Sequence, residues 1–336
     1  MKILLVGAGS IGQRHLTNLA QMKAGELSVC ETDQDRLAQA TKTLGIPGFS
    51  ELNQALAQKP DAMIIATPTH LHTAIALKAL QTVKNIFIEK PIADTLEQAE
   101  HLTAEANRRN AMVLVGCNMR FHPGVAAVKQ VLEERRLRNP LLFRAWFSHY
   151  LPNWRPGADY RQTYSARSDQ GGGIILECIH ELDYLQWFAG KIIGVRSFAK
   201  HTSDLEIETE DYSLIMLDFE SGATGEVRLD YLRHIKSRGC EVISPGDAFL
   251  YWASRGKNPE EVFVSYVGSD GIPREIFRND SYNPNEMYLK EMQHFLDCIL
   301  GKEKPLVDAE TATEVLRVAL AAKQKTAKLN HFTAKG

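Results

Sequence analysis

The most restrictive feature of the chain is a glycine loop, Gly7-Ala8-Gly9-Ser10-Ile11-Gly12, set directly between the apolar run Lys2–Val6 and helical periodicity over residues 11–22. A strand that turns through G-x-G-x-x-G into a helix commits this region to a βαβ unit, because each glycine answers a steric demand of that turn. Gly7 permits the tight turn, Gly9 lets backbone approach a pyrophosphate, and Gly12 lets the helix pack closely on the sheet. The helix start, with Ser10 and Ile11 in the same cradle, offers N–H groups and a positive dipole end to an anion. Glu31 stands nineteen positions after Gly12, just past the second apolar run, residues 27–30. A carboxylate there accepts hydrogen bonds from the adenosine ribose hydroxyls and repels a 2′-phosphate, so NAD is expected ahead of NADP. Arg36, close by in sequence, keeps NADP as the lesser alternative.

The alternation that begins at the loop continues. Apolar runs at residues 62–66, 85–88 and 112–115 are interleaved with helical patterns at 35–44, 72–80 and 95–108. This rhythm predicts an N-terminal Rossmann doubly wound parallel sheet, its strands buried on both faces. After about residue 120 the text changes. A helix near 124–134 and a run at 141–147 lead to an aromatic, proline-containing loop at 150–164. Gly171-Gly172-Gly173 then opens an apolar helical stretch, 174–188. Residues 195–266 alternate in the antiparallel manner, with Glu220-Ser221-Gly222 as a hairpin turn, and 286–300 and Ala309–Lys323 read as closing helices. The expected fold class is therefore α/β: a dinucleotide-binding domain at 1–120, then a substrate-binding α+β domain at 121–336 with an open, mostly antiparallel sheet.

Charge narrows the partners. Lys and Arg number 39 against 41 Asp and Glu, a net charge of −2, so no basic field is available for nucleic acid or an anionic membrane. No apolar run approaches the roughly 18–20 residues that span a bilayer, and the opening run is too short for a signal peptide. Five scattered cysteines without C-x-x-C spacing suit reduced thiols, and a cytoplasmic location is expected.

Ile86-Phe87-Ile88-Glu89-Lys90-Pro91 puts a charged pair at the carboxyl end of a parallel strand, the edge where open α/β sheets hold ligands. Pro91 restricts Lys90 to extended backbone. An ammonium partly buried beside a nicotinamide cation is expected to have its pKa lowered and to exchange a proton with a substrate hydroxyl. The rival reading is a solvated lysine after a strand. GAGSIGQRH (residues 7–15), Ala66-Thr67-Pro68-Thr69-His70-Leu71-His72, Glu89-Lys90-Pro91 and Asn118-Met119-Arg120-Phe121-His122-Pro123 together resemble the Gfo/Idh/MocA family of NAD(P)-dependent oxidoreductases over essentially the whole chain. That resemblance implies an enzyme that oxidises a secondary alcohol of a sugar, sugar derivative or inositol. It gives Lys90 the catalytic role and makes the second sheet an interface of a homo-oligomer. It places Thr67, Pro68, His72, Glu89 and Asn118 beside the cofactor, and Arg120 beside the substrate, with a surface salt bridge as the rival reading of Arg120.

Within Ile174-Ile175-Leu176-Glu177-Cys178-Ile179-His180-Glu181-Leu182-Asp183, the resemblance assigns an acid and a histidine to catalysis. The family more often spaces that acid four residues before the histidine, whereas Glu177 stands three before His180. On one helix, Glu177, His180 and Asp183 would project broadly to one side. A histidine buried against a backbone carbonyl is the alternative. Trp154, Tyr160 and Arg161, in the aromatic loop, mix stacking surfaces with cations in a way that suits a neutral sugar or an anionic one such as a nucleotide-linked sugar or uronate, or else tuck into a seam between domains. Arg233, His234, Lys236 and Arg238 form either a cationic rim or an exposed strand face. No metal site is expected, since His70-x-His72 and His180 lack a complete ligand set. Two other functions fit the same residues: internal redox with retained NAD, and a non-catalytic NAD- or sugar-sensing regulator.

Overall fold

A computed structural model describes residues 1–324, apart from 135, 136, 138, 139, 156, 246–248, 257 and 258. Pro156 of the aromatic loop and the tail 325–336 of the second region lie outside the described residues.

Six short strands form the first sheet: β1 (Lys2–Val6), β2 (Glu26–Cys30), β3 (Gly48–Phe49), β4 (Ala62–Ile65), β5 (Asn85–Glu89) and β6 (Met112–Gly116). All are parallel, in the order β3-β2-β1-β4-β5-β6. Helices α1 (Ser10–Gln21), α2 (Gln34–Leu44), α3 (Leu52–Leu56), α4 (His72–Ala79) and α5 (Leu96–Arg108) connect them. Every residue of β4 is buried, as its unbroken apolar run requires once helices cover both faces. Strand β3 and helix α3 were not expected from the sequence, because two and five residues are too few to carry a periodicity. The strand order reverses between β1 and β4, so the glycine loop after β1 opens at the switch point of the sheet.

Helix α6 (Pro123–Glu133) leads into the second sheet. Its strands are β7 (Leu142–Ser148), β8 (Ile192–Lys200), β9 (Tyr212–Phe219), β10 (Thr224–Asp230), β11 (Ser237–Ile243), β12 (Phe249–Gly256), β13 (Glu260–Val267) and β14 (Pro273–Tyr282). They run in the order β14-β13-β12-β11-β7-β10-β9-β8, and only β7 with β10 is parallel. The expected single helix at 174–188 is instead two: α7 (Ile174–Glu177) and α8 (His180–Ala189). Cys178 leaves helical geometry between them, at φ −105° and ψ 36°. The break lets neighbouring acids aim at separate cations, Glu177 at Lys90, Glu181 at Arg238 and Asp183 at Arg120.

The last two helices, α9 (Asn285–Ile299) and α10 (Ala309–Lys323), return to the first sheet. Met292, Phe295 and Leu296 of α9 share a core with Ile3, Leu5, Leu16 and Phe87. The Val115 N–H donates to Val307 O at 2.9 Å, tying the segment between α9 and α10 to β6. Among the described residues no helix is long and apolar enough to cross a membrane.

Candidate active site

At Gly7 φ is +95°, and a Cβ would lie 2.7 Å from the Ala66 carbonyl oxygen; at Gly12 it would lie 1.9 Å from the Gly7 carbonyl oxygen. Only glycine fits either place. The Cβ direction of Gly9 meets open space, and α1 begins there without a side-chain cap, leaving its first N–H groups, from Ser10 and Ile11 onward, with no capping side chain. Glu31 lies beside the loop: Oε2 accepts the Ala8 N–H at 2.7 Å, while Oε1 accepts the Asp33 N–H at 3.0 Å and an Arg36 N–H at 3.3 Å. Burial pushes its carboxyl up, but the Asp33 and Ala8 N–H groups and Arg36 outweigh that and hold it below the ordinary range. Glu31 is therefore ionised at neutral pH, with acceptor capacity left at Oε2 for a ribose hydroxyl.

Thr67 and Pro68 follow β4, and the Thr67 hydroxyl is buried without a partner. Asn118, after β6, likewise holds a buried Oδ1 with no partner. An open pyrophosphate cradle, an ionised carboxylate and unsatisfied polar atoms along one sheet edge are what a dinucleotide would fill. These residues fit NAD. Two of the expected cofactor contacts are otherwise engaged. Nδ1 of His72 lies 2.9 Å from Pro91 O and Nε2 lies 2.9 Å from Thr67 O, so the ring ties two loops together and has nothing left for a ligand. The Glu89 carboxylate is turned inward to His15, at 2.6 Å, and to the Lys90 N–H, at 3.2 Å.

Between the two sheets lies a cavity of about 310 Å³, whose lining includes Lys90, Asn118, Trp154, Glu177 and His180. Lys90 Nζ donates to the Glu177 carbonyl oxygen at 3.0 Å and lies 3.8 Å from the Glu177 carboxylate. Burial alone would lower the lysine pKa, but the Glu177, Tyr164 and Glu89 side chains overcome it, and the net shift is upward. The expectation of a lowered pKa counts desolvation and the charge of a bound nicotinamide but not these acids, which in the protein alone outweigh desolvation. His180 opens α8 with Nδ1 buried and without a partner. Burial first, then the Lys90 and Arg238 charges, hold its pKa well below the usual histidine value, so the imidazole is neutral at pH 7. Glu177 and His180, on either side of the break at Cys178, both line the cavity, while Asp183 is turned to Arg120.

Three expected substrate contacts lie elsewhere. Arg120 is buried, bonded through Nε and Nη2 to Asp183 at 2.9 and 2.8 Å, through Nη1 to Leu306 O at 2.7 Å, and packed over the Trp187 ring. Arg161 is exposed and pairs with Asp159 and Glu206. The half-buried Tyr160 hydroxyl accepts the Glu206 N–H at 3.2 Å. Sequence reasoning left the far wall undecided. Lys236 is ion-paired with Glu260, and Arg238 lies 2.8 Å from Glu181 and over the Phe147 ring, all close to the cavity. The spacing of Lys236 and Arg238, two apart at the start of β11, puts both on one side and was the available signal. Arg14 and Tyr288, also lining, were missed because α1 and α9 meet only in the folded chain.

A parallel sheet of this order, with a glycine loop at its switch point and a lysine and histidine in the cleft beyond, defines the class of dinucleotide-dependent oxidoreductases. Residues 1–117 match the "Oxidoreductase family, NAD-binding Rossmann fold" (GFO_IDH_MocA), and residues 125–244 match the "GFO/IDH/MocA C-terminal domain". The chain belongs to the GFO/IDH/MocA family of oxidoreductases. It is 27% identical over 335 residues to the scyllo-inositol 2-dehydrogenase (NAD(+)) of Bacillus subtilis, covering 96% of this chain and 93% of that protein. With the myo-inositol 2-dehydrogenase of Thermotoga maritima it shares 24% over 332 residues, 96% of each. A structure of levoglucosan dehydrogenase in complex with NADH has the same fold, with a TM-score of 0.84, 19% identity, and 96% and 95% of the two chains covered.

Proposed function

We propose that the protein transfers hydride between NAD, preferred over NADP, and a secondary alcohol of a neutral sugar or inositol. The observation that carries the substrate class is the charge balance of the cavity. Lys90 is matched by Glu177, Lys236 by Glu260, and Arg238 by Glu181. With its deep cations already paired, and with Arg14 at the rim packed on the Tyr288 ring, the wall favours hydrogen bonds to hydroxyls over capture of a phosphate or carboxylate. Phe147 and Trp154 add apolar faces for a ring. The Bacillus and Thermotoga relatives named for inositols are consistent with this reading.

NAD, when bound, supplies the two-electron acceptor. The charge states divide the protein's part differently from the expectation that Lys90 takes the proton. Neutral His180 accepts the hydroxyl proton, while the Lys90 ammonium donates a hydrogen bond to the same oxygen and stabilises the negative charge that develops there. Glu177 keeps that ammonium charged and aimed. We also infer a homo-oligomer through the outer face of the second sheet, where half-buried Trp146, Tyr251 and Phe263 stand among charged side chains.

The test is a panel of inositols, neutral sugars, uronates and sugar phosphates, followed by NADH formation, with NADP run alongside. A neutral polyol with NAD should be fastest, and Lys90→Met should lower turnover by roughly 10²–10⁴ while NAD still binds. An anionic sugar as the best substrate would overturn the neutral-polyol reading, and undiminished turnover in Lys90→Met would overturn the role of the lysine.

A further inference from the structure

Behind the strand that carries Lys90, three ionisable side chains from three elements meet in an apolar enclosure. His15 of α1, Glu89 of β5 and Glu291 of α9 bring a ring nitrogen and two carboxylate oxygens within 4.8 Å of one another, all buried. His15 Nε2 and the Lys90 N–H hold Glu89 from two directions. Glu291 is fully buried, and neither of its oxygens has a hydrogen-bond partner. Phe87 and Tyr288 stand edge-on to the His15 ring, at 5.4 and 6.2 Å.

Among the described residues, the other titratable groups whose charge acts on this cluster include the Cys117 thiol beyond β6 and the Tyr288 hydroxyl on α9 itself, and the one side chain inside it that can carry positive charge is His15, which lies against Glu89. Arg14 of α1 is spent on the Tyr288 ring, and Lys90 Nζ is turned to Glu177. Two ionised carboxylates so close in apolar surroundings repel strongly, and a buried carboxylate without a partner is costly in itself. A proton on Glu291 relieves both and makes it a donor, with the Glu89 carboxylate, within 4.8 Å, as the nearby acceptor.

We propose that Glu291 is a positioning residue that stays protonated in the folded enzyme and hydrogen-bonds the Glu89 carboxylate opposite His15, fixing the strand end that aims Lys90. Burial and the neighbouring Glu89 charge both favour the protonated form. The functional half of this inference rests on the role given to Lys90 above; the protonation half does not.

The experiment compares the Tm of wild type and Glu291→Gln from about pH 5 to about pH 8. Folding retains a proton that the unfolded chain releases above about pH 4.3, so wild type loses stability as pH rises toward the raised folded pKa, whereas glutamine has nothing to lose. The Tm of Glu291→Gln should therefore gain on that of wild type as pH rises. A Tm difference that stays constant over this range, that widens against the variant toward neutral pH, or that shows the gain only while His15 is present and loses it in a His15→Gln background, means an ionised Glu291 held by a metal or by a His15 imidazolium, and overturns the proposal. A stoichiometric ion found by elemental analysis of the purified protein does the same. In turnover, Glu291→Gln keeps the donor and should stay within about threefold of wild-type kcat, while Glu291→Leu should lose on the order of tenfold or more with substrate KM little changed. Equal kcat in Glu291→Leu and wild type would refute the positioning role. A wild type without dehydrogenase activity would count against the function proposed above, and the Tm comparison would still decide the protonation.

Discussion

Lys90 keeps its proton because Glu177 lies against it, and His180, three residues past Glu177, rests neutral because burial and two neighbouring cations disfavour its charged form. That pairing sets the expected pH dependence. Alcohol oxidation needs unprotonated His180, so kcat/KM should rise with pH through a midpoint well below the ordinary histidine value of about 6.5 and lie flat at neutral pH. In His180→Ala that acidic limb should vanish along with most of the rate. A wild-type midpoint at the ordinary value, or an acidic limb that survives the substitution, would refute the assignment of the base. The type and position of both residues were legible in the sequence. Their charge states were not, because the groups that set them lie far away in the chain, Glu177 being 87 residues from Lys90.

Among the elements, the interrupted α7–α8 segment shows how one apolar stretch serves several partners. Its side chains Ile174, Ile175, Leu182 and Leu185 are buried as the sequence pattern requires, but the acids among them close ion pairs with three separate parts of the chain. Asp183 with Arg120 is the most enclosed of these pairs, with side chains 0% and 4% exposed. Removing one partner strands the other charge, so Arg120→Ala should lower unfolding free energy by about 3–5 kcal/mol, measured by urea denaturation. Since the guanidinium lies away from the cavity, substrate KM should stay near wild type; a large rise in KM with little loss of stability would restore Arg120 to substrate binding. In the sequence, Arg120 reads as a cleft residue because it follows a strand at the ligand edge, and nothing within its own neighbourhood reveals the acid 63 residues on.

For the whole molecule, α9 matters twice: it completes the core beneath β1 and β5, and it delivers Glu291 and Tyr288 to the back and rim of the site. The second sheet covers the cavity with one face and presents the other outward, where Tyr251 packs against Phe263 and Trp146. For the homo-oligomer inferred above, sedimentation velocity should give a multiple of the chain mass for wild type and a monomer for Tyr251→Glu combined with Phe263→Glu, with the fold retained by circular dichroism. A monomeric wild type would dispose of the interface.

Short-range chemistry is legible along the chain. Glycine spacing, apolar runs and turn residues act over a few positions, and they alone determined the order of β1, β2, β4, β5 and β6 with α1, α2, α4 and α5, though not the short β3 and α3, together with the cradle at Gly7–Gly12, the β9–β10 hairpin and the lysine at the end of β5. The tertiary structure decided which charges meet. It broke the helix at Cys178, withdrew Arg120 and the Glu89 carboxylate from the cleft, raised the pKa of Lys90, and brought His15 and Glu291 together from opposite ends of the chain. The physical reason is that electrostatic and desolvation energies depend on distance and burial in three dimensions, which the order of residues along a chain does not encode locally.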